Sequence, residues 1–174
     1  GEARLALEAF RGTLHPGLMP HTFDAVRLAM EMPTPRVALG QGLRGMATSA
    51  IDVSDGLLGD LGHILRRSRV GASLVLDALP ISAHLQDRPI AQQWDCLLAG
   101  GDDYELVFTT PVSQRGAVRE LEQQLGLLLT RIGRIEAEPG LRLWRGELDQ
   151  WEGDPTLQAV DNRWSSFDHF KGVA

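Results

Sequence analysis

The chain has 174 residues, a formal net charge of −6 and 43% hydrophobic residues, enough to bury the core of one ordinary domain. Its 17 Lys and Arg are spread among 23 Asp and Glu without a basic run, which argues against a nucleic-acid surface and leaves small molecules as the expected partners. No apolar run approaches the roughly 18 residues that span a membrane, and no basic-then-apolar leader opens the sequence, so a cytoplasmic protein is expected.

Two helices are predicted first, over residues 2–11 and 21–32, with Leu5, Leu7, Ala9 and Phe10 and then Phe23, Val26, Leu28, Ala29 and Met30 as their apolar positions. His15-Pro16-Gly17 breaks the chain between them. Pro33-Thr34-Pro35-Arg36 reads as a rigid extended linker, because each proline fixes its own φ and disfavours helix in the residue before it. A short helix is expected over 37–46 and a strand over 48–54.

The segment 50–58, Ala-Ile-Asp-Val-Ser-Asp-Gly-Leu-Leu, follows. Extended backbone puts Ile51 and Val53 on one face and Asp52 and Ser54 on the other. Asp52, at the end of an otherwise buried strand, calls for a partner that no nearby basic residue supplies. Asp55 stands where a helix N-cap belongs, and Gly56 permits a tight turn. Helix-start N–H groups attract anions and neighbouring carboxylates attract hard cations such as Mg²⁺, so this junction suits a metal–phosphate ligand; simple capping is the competing reading. Residues 55–67 form the clearest predicted helix, with Leu57, Leu58, Leu61, Ile64 and Leu65 in one stripe and Asp60, His63, Arg66 and Arg67 outside it. His63 is read as a solvated helix residue.

A strand over 72–76 and helical material over 83–98, interrupted at Pro89, come next. Cys96, the one cysteine, has no second thiol or Cys-His pattern to join and is expected in the core of a protein from a reducing compartment. The segment 97–108, Leu-Leu-Ala-Gly-Gly-Asp-Asp-Tyr-Glu-Leu-Val-Phe, sets Gly100, Gly101, Asp102 and Asp103 before a strand over 104–110. Gly-Gly followed by acids is also an ordinary turn composition, but two acidic clusters in order favour a site. Ser113 is expected to cap a helix ended by Gly126, and strands over 127–135 and 141–144 complete the chain. The mixed order predicts an α/β (α+β) sandwich with a mixed sheet flanked by helices. Near the end, Trp164, Phe167 and Phe170 either anchor the tail to the core or offer a ring that stacks on an aromatic ligand.

Three ordered motifs, Thr48-Ser-Ala-Ile-Asp-Val-Ser-Asp-Gly-Leu57, Ala99-Gly-Gly-Asp-Asp-Tyr-Glu-Leu106 and Phe167-Asp-His-Phe170, together resemble the C-terminal half of bacterial thiamine-monophosphate kinase. Pro33-Thr-Pro-Arg36 matches the point where that domain begins. The family belongs to a superfamily with aminoimidazole ribonucleotide synthetase, selenophosphate synthetase and a hydrogenase maturation protein, all with an N-terminal ATP-binding domain before a C-terminal one. The resemblance implies that residues 1–32 are the helical end of an N-terminal domain that is not in this sequence, that 33–174 is the C-terminal domain, and that the chain alone holds part of an active site.

The implied reaction is phosphorylation of thiamine monophosphate by ATP, with several Mg²⁺ ions, to give thiamine diphosphate. By resemblance Asp52 and Asp55 bind Mg²⁺ and Ser54 contacts the ATP phosphates. Asp102, where the family commonly has Glu, contacts the thiamine substrate, with Asp103 as the alternative. Phe167, often Tyr in relatives, is the partner of the thiamine rings. The acceptor phosphate is already ionised, so no general base is expected. A homodimer is implied for the full-length protein. The competing readings are an ATP-dependent synthetase of the same superfamily and, for the isolated chain, a noncatalytic ligand-binding or interaction domain.

Overall fold

The computed structural model describes residues 1–148, 158–160 and 163–164. In chain order the elements are α1 (Glu2–Phe10), α2 (Pro20–Glu31), α3 (Val37–Gly42), β1 (Ser49–Asp52), α4 (Leu57–Ser68), β2 (Gly71–Val75), α5 (Ala83–Gln86), α6 (Ile90–Ala99), β3 (Leu106–Thr109), α7 (Arg115–Leu125), β4 (Gly133–Glu136), β5 (Gly140–Arg145) and β6 (Gln158–Val160). None of the described helices is long and apolar enough to cross a membrane.

Two sheets form. The larger runs β4-β2-β5-β6, with β2 parallel to β5 and antiparallel to β4, and β5 antiparallel to β6. This is the expected mixed sheet with helices on it. Its central strand β2, Gly-Ala-Ser-Leu-Val, is buried at every position, which small and branched residues allow on both faces of a covered strand. The buried Ser73 hydroxyl donates to Glu136 Oε1 at 2.7 Å, which satisfies the polar atom that this burial would otherwise strand. Burial opposes ionisation of Glu136, but that hydrogen bond together with Arg134 and Arg142 outweighs it and holds the carboxyl below its ordinary pKa.

The smaller sheet is an antiparallel ribbon in which β1 pairs with β3, Ile51 opposite Val107 and Asp52 opposite Leu106. Opposed residues share a face, so the ribbon has two apolar duties. Ile51 and Val107 face the main core, built from Leu57, Leu58, Leu61 and Leu65 of α4 with Ala72, Leu74, Leu98 and Leu143. Leu106 and Phe108 face a smaller cluster with Leu39 of α3, Leu43 just past its end and Leu121 of α7. A third cluster joins Leu5, Ala6, Leu14 and Val26 of the first two helices and their connection to Leu85 and Cys96 of α5 and α6. Cys96 is buried there as expected, and burial pushes its thiol pKa up to about 11.

Several boundaries differ from expectation for identifiable reasons. Tyr104 lies outside β3, because its φ of 51° is left-handed and cannot continue a strand. Ser113 sits within a 3-10 turn, Val112–Gln114, so α7 begins at Arg115 with Gln114 at its N-cap and no side-chain cap. The apolar run Leu127-Leu128-Leu129 precedes β4 instead of forming it. Gly126 ends α7 in the left-handed conformation, as the sequence suggests.

Candidate functional site

Alternation along β1 holds past the strand end: Ile51 and Ser49 are half-buried, Val53 is buried, and Ala50 and Asp52 are exposed. The expectation that Asp52 closes an otherwise buried strand is therefore corrected. The ribbon leaves this edge open, and an exposed carboxylate keeps its hydration without needing a cation beside it. No hydrogen bond or ion pair engages the Asp52 side chain among the described residues.

Asp55 does not cap the helix. The N-cap of α4 is Gly56, at φ 108° and ψ 145°, a conformation that an L side chain rarely adopts. The carboxylate that serves this turn belongs to Asp60, one turn into α4. Its Oδ2 accepts the backbone N–H groups of both Ser54 and Asp55 at 3.0 Å, and the residue is only 3% exposed. One expectation changes with it: the N–H groups of Ser54 and Asp55 are committed to Asp60, which is buried although it lies outside the apolar stripe, instead of open to an anion.

The second acidic motif packs directly on the first. Asp102 N–H donates to Ser54 O at 2.9 Å, Tyr104 N–H donates to Val53 O at 2.9 Å, and Val53 N–H donates to Glu105 O at 2.8 Å. Asp102 and Tyr104 both have positive φ, 64° and 51°, conformations that cost a non-glycine residue about 1–3 kcal/mol each and collect at functional sites. Their N–H groups, two positions apart in the chain, meet the carbonyls of residues 54 and 53. Gly101 is required by this contact, since a Cβ there would lie 2.3 Å from Ser54 O.

The structure thus brings Asp52, Ser54, Asp55 and Asp102 into one pair of apposed loops, although the motifs are about fifty positions apart in sequence. Asp102 is exposed, whereas Asp103 is half-buried and turned toward the first turn of α1, where Ala3 N–H approaches its Oδ1 at 3.5 Å. Of the two acids left open by the sequence, Asp102 is the one that faces solvent at the motif junction. Arg36, at the end of the Pro-Thr-Pro-Arg segment, grips Glu105 with two hydrogen bonds, Nε to Oε2 at 2.8 Å and Nη2 to Oε1 at 2.5 Å, and this pairing raises the arginine pKa. His63 lies on the exposed side of α4 beside Arg66, as expected. Phe167 lies outside the described residues. Trp164 from the same tail meets Trp94 edge-on, ring centroids 5.9 Å apart, and its indole N–H donates to Asp95.

Among the described residues no three His, Cys, Asp or Glu side chains gather closely enough to hold an ion by themselves. Asp52 and Asp55 are hard oxygen donors, and Mg²⁺ is commonly held by one or two carboxylates with water and a ligand's phosphate completing its shell. The donor set fits an ion that arrives with a phosphate, and it does not form a self-sufficient cage.

Residues 11–146 match the family model for the AIR synthase related protein, C-terminal domain. The chain is 44% identical over 143 residues to the thiamine-monophosphate kinase of Salmonella typhimurium, covering 79% of this chain and 40% of that protein. It is similar in structure to thiamine-monophosphate kinase from Stenotrophomonas maltophilia, with TM-score 0.75 and 46% identity over 82% of this chain and 46% of the other. A solved complex of AaThiL with AMPPCP and TMP superposes with TM-score 0.64 at 27% identity, covering 82% of this chain and 44% of that one. The chain spans less than half the length of the relatives it matches.

Proposed function

The chain belongs to the AIR synthase related protein C-terminal domain family, and we propose that it forms the C-terminal part of a kinase that phosphorylates thiamine monophosphate to thiamine diphosphate with Mg-ATP. The observation that carries this reading is the apposition of the two acidic loops, through Asp102 N–H on Ser54 O and Tyr104 N–H on Val53 O, in a chain whose relatives are thiamine-monophosphate kinases. Loop 52–56 serves the nucleotide and loop 100–105 the acceptor.

Phosphoryl transfer asks a protein for in-line positioning and charge neutralisation more than for covalent chemistry. An oxygen of the acceptor phosphate bonds to the γ-phosphorus of ATP while the bridging P–O bond breaks and ADP leaves. Bound Mg²⁺, in several ions, supplies neutralisation of the triphosphate. Asp52 and Asp55 would hold it through their carboxylate oxygens, and the Ser54 hydroxyl would contact a phosphate oxygen. Asp102 contacts the thiamine moiety and Phe167 stacks on its rings. No base is needed, because the acceptor phosphate is ionised near neutral pH.

The domain division is part of the proposal: residues 1–32 close a preceding ATP-binding domain, and 33–174 form the C-terminal domain. Their seam is the cluster of Leu5, Leu14 and Val26 with Leu85 and Cys96. A homodimer of the full-length protein and a cytoplasmic location complete the reading.

The test is thiamine diphosphate formation by the full-length protein, wild type and Asp52→Asn. The wild type is expected to make product, and the variant to lose about a hundredfold or more in kcat and to need more Mg²⁺. Absence of product from a folded, ATP-binding wild type overturns the kinase reading in favour of the ATP-dependent synthetases of the same superfamily. Near-normal kinetics in Asp52→Asn removes that residue from the metal site.

A further inference from the structure

We propose that Asp60 is a positioning residue that locks the two loops of the site into one unit. It touches neither loop's exposed carboxylates and acts only through backbone. Consider the two consecutive peptide groups that follow β1. In the Val53–Ser54 peptide the N–H donates to Asp60 Oδ2 at 3.0 Å while the carbonyl accepts from Tyr104 N–H at 2.9 Å. In the Ser54–Asp55 peptide the N–H donates to the same Oδ2 at 3.0 Å while the carbonyl accepts from Asp102 N–H at 2.9 Å. Each peptide is held at both ends, by a buried carboxylate on one side and by a left-handed residue of the facing loop on the other.

The arrangement has direct physical consequences. A hydrogen bond to an ionised acceptor is about twice as strong as a neutral one, and a peptide whose N–H is so engaged presents a better acceptor at its carbonyl. Asp60 therefore strengthens the two bonds that hold Asp102 and Tyr104 at positive φ. It also fixes the orientation of Ser54 and Asp55, whose amides it holds. The same helix supports the carboxylate itself, because Asp60 N–H is bonded to Gly56 O at 3.0 Å and Leu57, Leu58 and Leu61 around it are buried. One rigid side chain thus sets the geometry of both loops, one assigned above to the nucleotide and the other to the acceptor.

The kinetic part of this inference rests on the proposed kinase function, so the test pairs kinetics with a readout that needs no activity. Two variants of the full-length protein, Asp60→Asn and Asp60→Leu, are compared with wild type. Asparagine can place its carbonyl oxygen where Oδ2 stands and keep both bonds without charge; leucine removes both at similar size. Amide hydrogen exchange of residues 100–105 is measured together with kcat and the KM for each substrate, well below each variant's unfolding midpoint. In Asp60→Leu, exchange at Asp102 and Tyr104 is expected to accelerate about tenfold or more, with kcat/KM for both ATP and thiamine monophosphate falling by about a hundredfold. Asp60→Asn is expected to recover most of both.

Unchanged exchange at Asp102 and Tyr104 in folded Asp60→Leu overturns the proposal whatever the kinetics. Accelerated exchange with both kcat/KM values within about twofold of wild type also overturns it, because the residue is then only structural. If Asp60→Leu does not fold, Asp60→Asn carries the test: exchange like wild type supports the two-acceptor geometry, and exchange as fast as in the unfolded chain overturns it. Should wild type make no thiamine diphosphate, the kinase reading fails while the exchange result still decides the role of Asp60.

Discussion

Gly101→Ala is the sharpest perturbation of the contact between the two loops. The added Cβ would lie 2.3 Å from Ser54 O, where carbon and carbonyl oxygen normally stay about 3.3 Å apart, so the loops must separate by about 1 Å. The obstacle is a backbone carbonyl whose peptide N–H is already held by Asp60, so it cannot swing aside as a side chain would. Separation by that amount stretches Asp102 N–H to Ser54 O from 2.9 Å to beyond hydrogen-bonding reach. That loses about 1 kcal/mol, and local overpacking adds about 1–3 kcal/mol. Gly101 itself is not in the left-handed region, so alanine brings no φ strain, and the stiffer unfolded chain returns about 0.4–1 kcal/mol.

The net expectation for Gly101→Ala is a destabilisation of about 1–3.6 kcal/mol, or a fall of about 2–14 °C in Tm for a chain of this size. A 1 Å displacement at the site costs kcat up to about a hundredfold. Gly116→Ala is the control: a Cβ there meets nothing within 4 Å, and the position lies within α7, so stability should rise by about 0.4–1 kcal/mol. Thermal unfolding followed by circular dichroism, with turnover of the full-length protein, reads both. A Gly101→Ala protein that melts and turns over like wild type would show that the loops slide past each other freely, and the account of the site as a fixed unit would be wrong.

Glu136 links stability to pH. Its folded pKa is depressed by Ser73, Arg134 and Arg142 against the opposing effect of burial, so its contribution is present above the ordinary glutamate pKa and is lost as pH falls through the lower folded value. Glu136→Gln should cost about 1 kcal/mol near neutrality, with the gap from wild type closing in acid; a gap that stays constant in denaturation curves across the acid range would refute this. For Cys96, burial and a thiol pKa raised to about 11 predict no reaction with an aromatic disulfide reagent near pH 8 in the native protein and full reaction in denaturant. Rapid native labelling would show that the α1–α2 cluster opens readily.

Periodicity found what depends on neighbours in sequence. The inward Ile51 and Val53 against the outward Asp52, the leucine stripe of α4, and the helical break at Pro89 follow from local rules and are present. Asp60 was hidden by those same rules. A polar residue outside an apolar stripe reads as solvated, and its burial is decided by residues 53–55 folding back over the first turn of α4. The usable signal was a carboxylate in the first turn of a helix that opens on Asp-Gly, where orphan amides need an acceptor. Arg36 and Glu105 stand 69 positions apart, beyond any local pattern. Tyr104 fitted the alternation of Leu106 and Phe108, and only the hydrogen bond from its amide to Val53 O reveals why it leaves the strand.

The charges of the site divide by burial, and the division has a physical logic. Asp60, which is buried, has amides to satisfy it, because an unpaired carboxylate away from water costs several kcal/mol. Asp52 and Asp102 are exposed and meet no partner among the described residues, so leaving them open costs the fold little. Exposed carboxylates are thus left to solvent at Asp52 and Asp102, while a buried one fixes the backbone of residues 54 and 55. The cost appears in the left-handed Asp102 and Tyr104, about 1–3 kcal/mol each. Two hydrogen bonds onto the 53 and 54 carbonyls offset that strain, and both depend on peptides anchored at Asp60. Strain in the 100–105 loop and order in the 52–56 loop are therefore one energetic quantity, so a substitution that releases either must loosen the other.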